Sequence, residues 1–394
     1  MGTRLARRHH SPWLSARPGL ARASRASDTD PMDIGIIGLA RSGKTSLFNA
    51  VTRGTAQVGA YSSQQEPNVG VAHVPDQRVD ALTAVFHPKK TTYAEIRWVD
   101  YPVAGFGAEG PGNRFLAEIA GLDALVHVVR AFGDEAVPHP DGSVDPHRDI
   151  ESLDLELAFA DLGLIERRLG RIDAEMRSMK AADRGRIEAD RALLQRLQGE
   201  LEGGRGIRSL DLTEDERQQL AAYQFVTTLP VLVVVNVGEA DLGRAAEIEA
   251  EFAAQHGGPG VAVAALCVKI EAELATLDPA DADEFRRDLG LSAESPLDRA
   301  IQAAYSLLGL QSFLTAGDDE CRAWTVRQGA TAPEAAGKIH SDLERGFIRA
   351  EVTRWDELAE AGSIAELKKR GRLRTEGKSY VVQDGDVLNI LFNV

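Results

Sequence analysis

Cysteine is scarce: the 394-residue chain carries two, Cys267 and Cys321, far apart and without metal-ligand spacing. That excludes a disulfide framework, makes two packed thiols the expectation and points to a reducing compartment, the cytoplasm. No uninterrupted apolar run reaches the roughly 18–20 residues that a spanning helix needs, so no membrane association is expected. Net positive charge is missing too. With 45 Lys and Arg against 60 Asp and Glu, the formal charge is −15. Any RNA contact must therefore come from a local basic patch. Proline is absent from Leu153 to Leu201, a stretch dense in Glu, Arg and Leu that reads as long helices. Acid is absent before Asp28, where Arg4, Arg7, Arg8, Arg17, Arg22 and Arg25 resemble a transit peptide in composition. Met32, however, directly precedes the first strand pattern, so residues 1–31 are expected to be an upstream start or a disordered extension, outside the fold.

What is present is an alternation of short β-rich apolar runs and helical stretches, the mark of an α/β sheet. The runs are Ile34 to Ile37, Ile96 to Val99, Leu122 to Val129, Val231 to Val235 and Val261 to Val268. After Leu310 short strands are expected at Trp324 to Val326, Tyr380 to Val382 and Val387 to Phe392, forming a separate small α+β domain. The expected organisation is a nucleotide-type α/β domain of residues 32–152 and 225–308, an inserted helical arm of 153–224 and a terminal domain of 309–394.

Gly38-Leu39-Ala40-Arg41-Ser42-Gly43-Lys44-Thr45 is a GxxxxGKT loop between a strand and a helix opening at Ser46, the context that a P-loop requires. Gly38 and Gly43 let backbone amides turn toward phosphate oxygens, and the helix N-terminus adds partial positive charge. Lys44 is expected on the β- and γ-phosphates, and Thr45 on Mg2+. Asp100, ending a strand downstream, is the candidate to hold the metal through water. Asn236, at the end of a later strand, is expected to select the base. GTP-specific P-loop proteins read NKxD there, whereas this chain has Asn236-Val237-Gly238-Glu239. The asparagine amide complements adenine N6 and N7, so ATP is the expected nucleotide.

Longer strings resemble the YchF subfamily of Obg-like ATPases from Met32 to Val394. They include Glu66-Pro67-Asn68-Val69-Gly70, Val74-Pro75-Asp76-Gln77-Arg78, His127-Val128-Val129-Arg130, Lys269-Ile270-Glu271, Arg322-Ala323-Trp324-Thr325, Gly346-Phe347-Ile348-Arg349-Ala350 and Asp384-Gly385-Asp386-Val387. The resemblance implies a P-loop NTPase (G-domain) α/β sheet with an inserted coiled arm and a C-terminal TGS domain of ubiquitin-like α+β type. It also implies ATP hydrolysis in preference to GTP and association with ribosomes. His139 falls where the family carries a mobile loop histidine proposed to act in hydrolysis.

Departures fall on the γ-phosphate side. Val103 stands where the family has the glycine of Asp-x-x-Gly, and Gln64, beside Ser62 and Ser63, stands at its metal-binding threonine. Arg41 replaces a loop asparagine, adding a cationic contact or sitting in solvent. No glutamine follows Asp100 to place the attacking water. Lys368, Lys369, Arg370, Arg372, Arg374 and Lys378 stand against only Glu366 and Glu376 nearby, a patch suited to RNA or ribosomal protein. Arginines on the arm alternate with acids, as on a solvated helix face. Two functional classes remain: a slow, monomeric ribosome-associated ATPase using Mg2+, and an ATP-gated ribosome- or RNA-binding module with weak or no hydrolysis. A small-molecule kinase is disfavoured by the arm and the terminal domain.

Overall fold

The computed structural model describes residues 32–54, 67–101, 113–178, 184–292 and 294–393. Expectations resting on residues 1–31, on Ser62, Ser63 and Gln64, and on Val103 lie outside the described residues. In chain order the first part comprises β1 (Asp33–Ile37), α1 (Lys44–Thr52), β2 (Asn68–Val74), α2 (Gln77–Phe86), β3 (Lys90–Thr92), β4 (Ala94–Asp100), α3 (Asn113–Ile119) and β5 (Ala124–Ala131). After the arm come β6 (Val231–Val237), α7 (Ala245–His256), β7 (Val261–Leu266), α8 (Val268–Leu274), α9 (Pro279–Asp288) and α10 (Pro296–Leu307).

The first sheet runs β2-β4-β1-β5-β6-β7, parallel except for the antiparallel edge pair β2 and β4. Strands β1 and β6 are buried at every position, which is why they read as unbroken apolar runs. Strand β2 is not among the expected strands, because as an edge strand it exposes Val69 and Val71 and leaves no continuous apolar signal. The chain leaves β1 between β4 on one side and β5 on the other. A crevice outside the carboxyl ends of the strands opens at such a switch point, and residues 38–43 occupy it.

The arm consists of α4 (Pro146–Ser178), α5 (Gly185–Glu202) and α6 (Glu214–Leu220). Helix α4 begins before residue 153: Ile150, Leu153 and Leu157 pack into the sheet core, whereas Ala158, Ile165 and Ile172 join Leu193, Leu194, Leu197 and Leu201 in a core of the arm's own. The same helix is therefore rooted in one domain and projects as the other. At its root the buried Asp161 carboxylate accepts hydrogen bonds from Val226 N, Thr227 N and Thr227 Oγ1 at 2.9, 2.8 and 2.7 Å, tying the returning chain to α4.

The terminal part comprises β8 (Leu310–Ala316), β9 (Glu320–Arg327), α11 (Ala332–Ile339), α12 (Ser341–Arg345), β10 (Phe347–Arg354), α13 (Trp355–Ala361), α14 (Ile364–Lys369), β11 (Arg374–Glu376) and β12 (Asp386–Phe392). Tyr380 to Val382 is not a strand; it makes one isolated bridge, Val381 to Thr331. The second sheet runs β11-β10-β12-β8-β9-β3, so its last strand is donated by the first domain. One apolar cluster also crosses the boundary, from Val79 and Leu82 of α2 to Leu314, Cys321, Leu358 and Val387. The terminal part is thus joined closely to the first: the two share a sheet and an apolar cluster.

A charged clamp reinforces that join. Arg78 donates from Nε and Nη2 to Asp76, both at 2.8 Å, and its Nη1 lies 2.8 Å from Asp384 Oδ2. The other Asp384 oxygen accepts from Ser312 N at 3.0 Å. Gly385 follows at φ 83°, where a Cβ would come within 3.0 Å of Arg78 Nη1. Replacing Arg78 by alanine leaves two carboxylates without their cation, so Arg78→Ala is expected to lower the unfolding free energy by about 1–3 kcal/mol. Urea denaturation followed at two wavelengths checks this, with the wild type unfolding in one transition.

Candidate functional site

The P-loop owes its path to two glycines. Gly38 has φ 138° and Gly43 φ 103°; a Cβ on Gly38 would lie 2.4 Å from the Val128 carbonyl oxygen, and one on Gly43 would lie 2.4 Å from Asn236 Nδ2. Close approach and left-handed backbone thus both demand glycine. Arg41, at φ 65°, is one of the few other residues in that region. Its side chain is exposed, and its Nη1 donates to the Pro138 carbonyl at 3.1 Å, reaching the loop that carries His139. Helix α1 starts at Lys44, so the amides of Lys44, Thr45 and Ser46 belong to its first turn, where no intrahelical acceptor exists and an anion is favoured. Ser42 is buried, and its Oγ has no hydrogen-bond partner.

Lys44 Nζ donates to the carbonyls of Gly38 at 3.0 Å and Leu39 at 2.8 Å. Burial lowers its pKa to about 8, against a smaller raising effect of Asp100. An ammonium held only by neutral carbonyls in so buried a place lacks a full counter-charge, which a phosphate chain would supply. His127 on β5 is pushed down to about 3 by burial and by the Lys44 charge, and so stays neutral.

Asp100 is fully buried at the end of β4. Its Oδ2 accepts from Thr45 Oγ1 at 2.9 Å and from Asn68 Nδ2 at 3.2 Å. Its Oδ1 is buried with no hydrogen-bond partner. A hydroxyl has one proton and two lone pairs, so a Thr45 that gives its proton to Asp100 keeps its lone pairs for a cation. The donor set is all oxygen, and the orphaned carboxylate oxygen suits a water held by a metal. These residues fit Mg2+, a hard ion that retains several waters.

Asn236 is buried; its Nδ2 donates to the Ser42 carbonyl at 2.9 Å and its Oδ1 accepts from Val268 N at 3.1 Å. The amide thus spans the P-loop and α8. Val237 is also buried, within the sheet core. Glu239 is exposed and lies 2.7 Å from Lys269 Nζ, which raises the pKa of the lysine through that contact.

His139 lies in its loop against the start of the arm helix. Its side chain is 3% exposed, its Nε2 lies 3.1 Å from Asp149 Oδ2, and its Nδ1 accepts from Asp141 N at 3.2 Å. With Nδ1 accepting, the proton sits on Nε2, and neither nitrogen is left to orient a water. Arg148 donates to the other oxygen of Asp149 from Nε and Nη2, at 3.1 and 2.8 Å, so the first turn of the arm helix holds the carboxylate that meets His139.

The basic run of the terminal part lies among acids. Lys368 pairs with Glu351, Lys369 and Arg370 with Glu366, Arg370 also with Glu360, Arg372 with Glu357, and Arg374 with Glu376 and Asp386. Acids brought in from β10, α13 and β12 balance a run that looked cationic in sequence; Lys378 has no ion pair among the described residues. Sequence reasoning also missed Asn68, which lies directly opposite Asp100 in the β2 and β4 ladder. A cavity of about 650 Å³ between the end of α1, β2, α2 and α8–α10 has none of residues 38–45 in its lining. The P-loop is an open cradle of amides, which needs no enclosed volume.

The lysine supplies a pH test. A triphosphate stabilises the ammonium and raises its pKa in the complex, so above pH 8 nucleotide binding must take up a proton. Affinity for ATP is expected to be flat from pH 6.5 to 7.5 and to fall above pH 8, by up to tenfold per pH unit. Calorimetric titration checks this, with Lys44→Ala removing the slope along with most of the affinity.

Comparison with known proteins agrees with this architecture. Residues 310–393 match a family model described as a protein of unknown function (DUF933), the YchF-GTPase C-terminal family. The ribosome-binding ATPase YchF of Bacillus subtilis is 41% identical over 366 residues, covering 91% of this chain and 99% of that protein. Obg-like ATPase 1 of Oryza sativa is 36% identical over 387 residues, 96% of this chain and 95% of that one. The solved YchF GTPase of Schizosaccharomyces pombe superposes with a TM-score of 0.77 at 28% identity, covering 93% of this chain and 99% of that one. With a P-loop sheet, an arm rooted in it and full-length relatives at this identity, the chain belongs to the YchF family of Obg-like ATPases.

Proposed function

We propose that the protein is a slow, Mg2+-dependent ATPase that associates with ribosomes in the cytoplasm. The observation that carries this reading is the constellation of Lys44, Thr45 and Asp100, already aligned by the hydrogen bond from Thr45 to Asp100. In the reading proposed, the amides from Gly43 to Ser46 hold the phosphate chain. Lys44 leaves the carbonyls of Gly38 and Leu39 for the β- and γ-oxygens, and Thr45 and Asp100 are the residues that would hold the metal. The bound Mg2+ neutralises charge on the phosphate oxygens. Catalysis then rests on positioning and electrostatics, with low basal turnover.

ATP is favoured over GTP because guanine recognition needs a free carboxylate for the ring N–H and amino group, and Glu239 is engaged by Lys269. The names of the relatives divide on this point, ATPase for the Bacillus and Oryza proteins and GTPase for the fission yeast structure. Ribosome binding is carried by the name of the Bacillus relative. Among the described residues no helix is long and apolar enough to cross a membrane. A monomer acting on the ribosome, with RNA as a further contact, completes the reading, although the balanced charges around residues 368–374 weaken the case for that surface.

One observation favours a second reading, an ATP-gated binding module with little hydrolysis: both nitrogens of His139 are engaged. Steady-state phosphate release with and without ribosomes distinguishes the two. An ATPase is expected to release phosphate in a Lys44-dependent manner, with ribosomes raising the rate; tight ATP binding without release in either condition favours the module. Parallel titrations are expected to give at least about threefold tighter binding of ATP than of GTP, and tighter GTP would reject the base assignment.

A further inference from the structure

We propose that Asn68 is a positioning residue that fixes the Asp100 carboxylate for the metal; the inference rests on the reading of Thr45 and Asp100 as a Mg2+ site. Three observations carry it. The two residues are direct cross-strand partners, Asn68 on β2 and Asp100 on β4, so their side chains leave the sheet side by side. The Asn68 amide donates to the same oxygen, Oδ2, that receives the Thr45 proton. The remaining oxygen, Oδ1, is buried and bare.

Two donors on one oxygen fix the rotation of the carboxylate about χ2, a torsion that is otherwise broad. With Thr45 alone, the carboxylate would pivot about a single hydrogen bond. The oxygen left for the metal's water would then be set only on average. Asn68 also suits the place chemically. It brings a donor to a buried anion without adding a cation that would compete with a divalent metal, as an arginine or lysine would. The substitution Asn68→Asp would instead set a second carboxylate against the first.

Its loss should therefore weaken metal-dependent binding selectively. The experiment is calorimetric titration of ATP into the full chain across a Mg2+ series and in EDTA, for wild type, Asn68→Ala and Asn68→Leu. The leucine variant keeps the shape without the donor and guards against a collapsed alanine variant. Both are expected to need about tenfold more Mg2+ for half-maximal enhancement of ATP binding, with the EDTA affinity within twofold of wild type. Thermal unfolding under the same conditions is expected to show a reduced Mg-ATP stabilisation and little change without ligand.

Equal losses with and without Mg2+, or an unchanged Mg2+ requirement with lowered thermal stability, would overturn the inference and leave Asn68 a structural residue. A wild type whose ATP binding ignores Mg2+ would count against the metal site itself, a failure visible before any variant is compared. Inorganic phosphate release need not be measured, so the test does not depend on how fast the protein turns over.

Discussion

The site is organised around one buried carboxylate. Asp100 lies at the end of β4, in register with Ile36 of β1 on one side and with Asn68 of β2 on the other. Burying an anion without compensation is costly, so its neighbours are constrained. Thr45 must give up its proton, β2 must run alongside so that Asn68 can reach, and the P-loop must turn sharply enough to bring α1 over the strand end. The second anchor of that turn is Asn236, whose approach to Gly43 leaves no room for a side chain. Asp100 and Asn236 thus hold the P-loop from two sides before any ligand arrives.

The P-loop was legible in the sequence because its chemistry is contiguous: two glycines, a lysine and a threonine at fixed spacing define a backbone path and a ligand class together. Asp100 was legible as the polar end of an apolar strand. What escaped were interactions made across the chain. Asn68 meets Asp100 through a sheet register that no local pattern encodes, and the edge strand that carries it hides its period among exposed valines. Asn236 and Val237 were placed correctly at a strand end but turn inward, because the sheet buries that end more deeply than a turn would. The patch at residues 368–378 looked cationic because its compensating acids, Glu351, Glu357, Glu360 and Asp386, lie outside the local window. His139 was expected in a loop and found there, but its environment comes from Asp149 and Arg148 on the arm helix.

The domain joins give the fold a continuous mechanical path. Strand β2 begins at the nucleotide site with Asn68 and leads through Pro75 to Asp76, which holds Arg78 against Asp384 in the terminal domain. On the other side, Arg41 links the P-loop to the His139 loop, and that loop is cinched by the first turn of α4, the root of the arm. Both appendages are therefore attached to the nucleotide site by short chains of hydrogen bonds and ion pairs. Neither the arm nor the terminal domain is a passive attachment, since each shares core residues with the first sheet.

The most direct test is a crystal structure of the full chain with Mg2+ and a non-hydrolysable ATP analogue. Lys44 Nζ is expected to have left the carbonyls of Gly38 and Leu39 for the phosphate chain, with Thr45 Oγ1 on the metal and still donating to Asp100. An analogue bound elsewhere, with Lys44 unmoved and the amides of Gly43 to Ser46 facing no phosphate, would contradict the assignment of this loop as the nucleotide site.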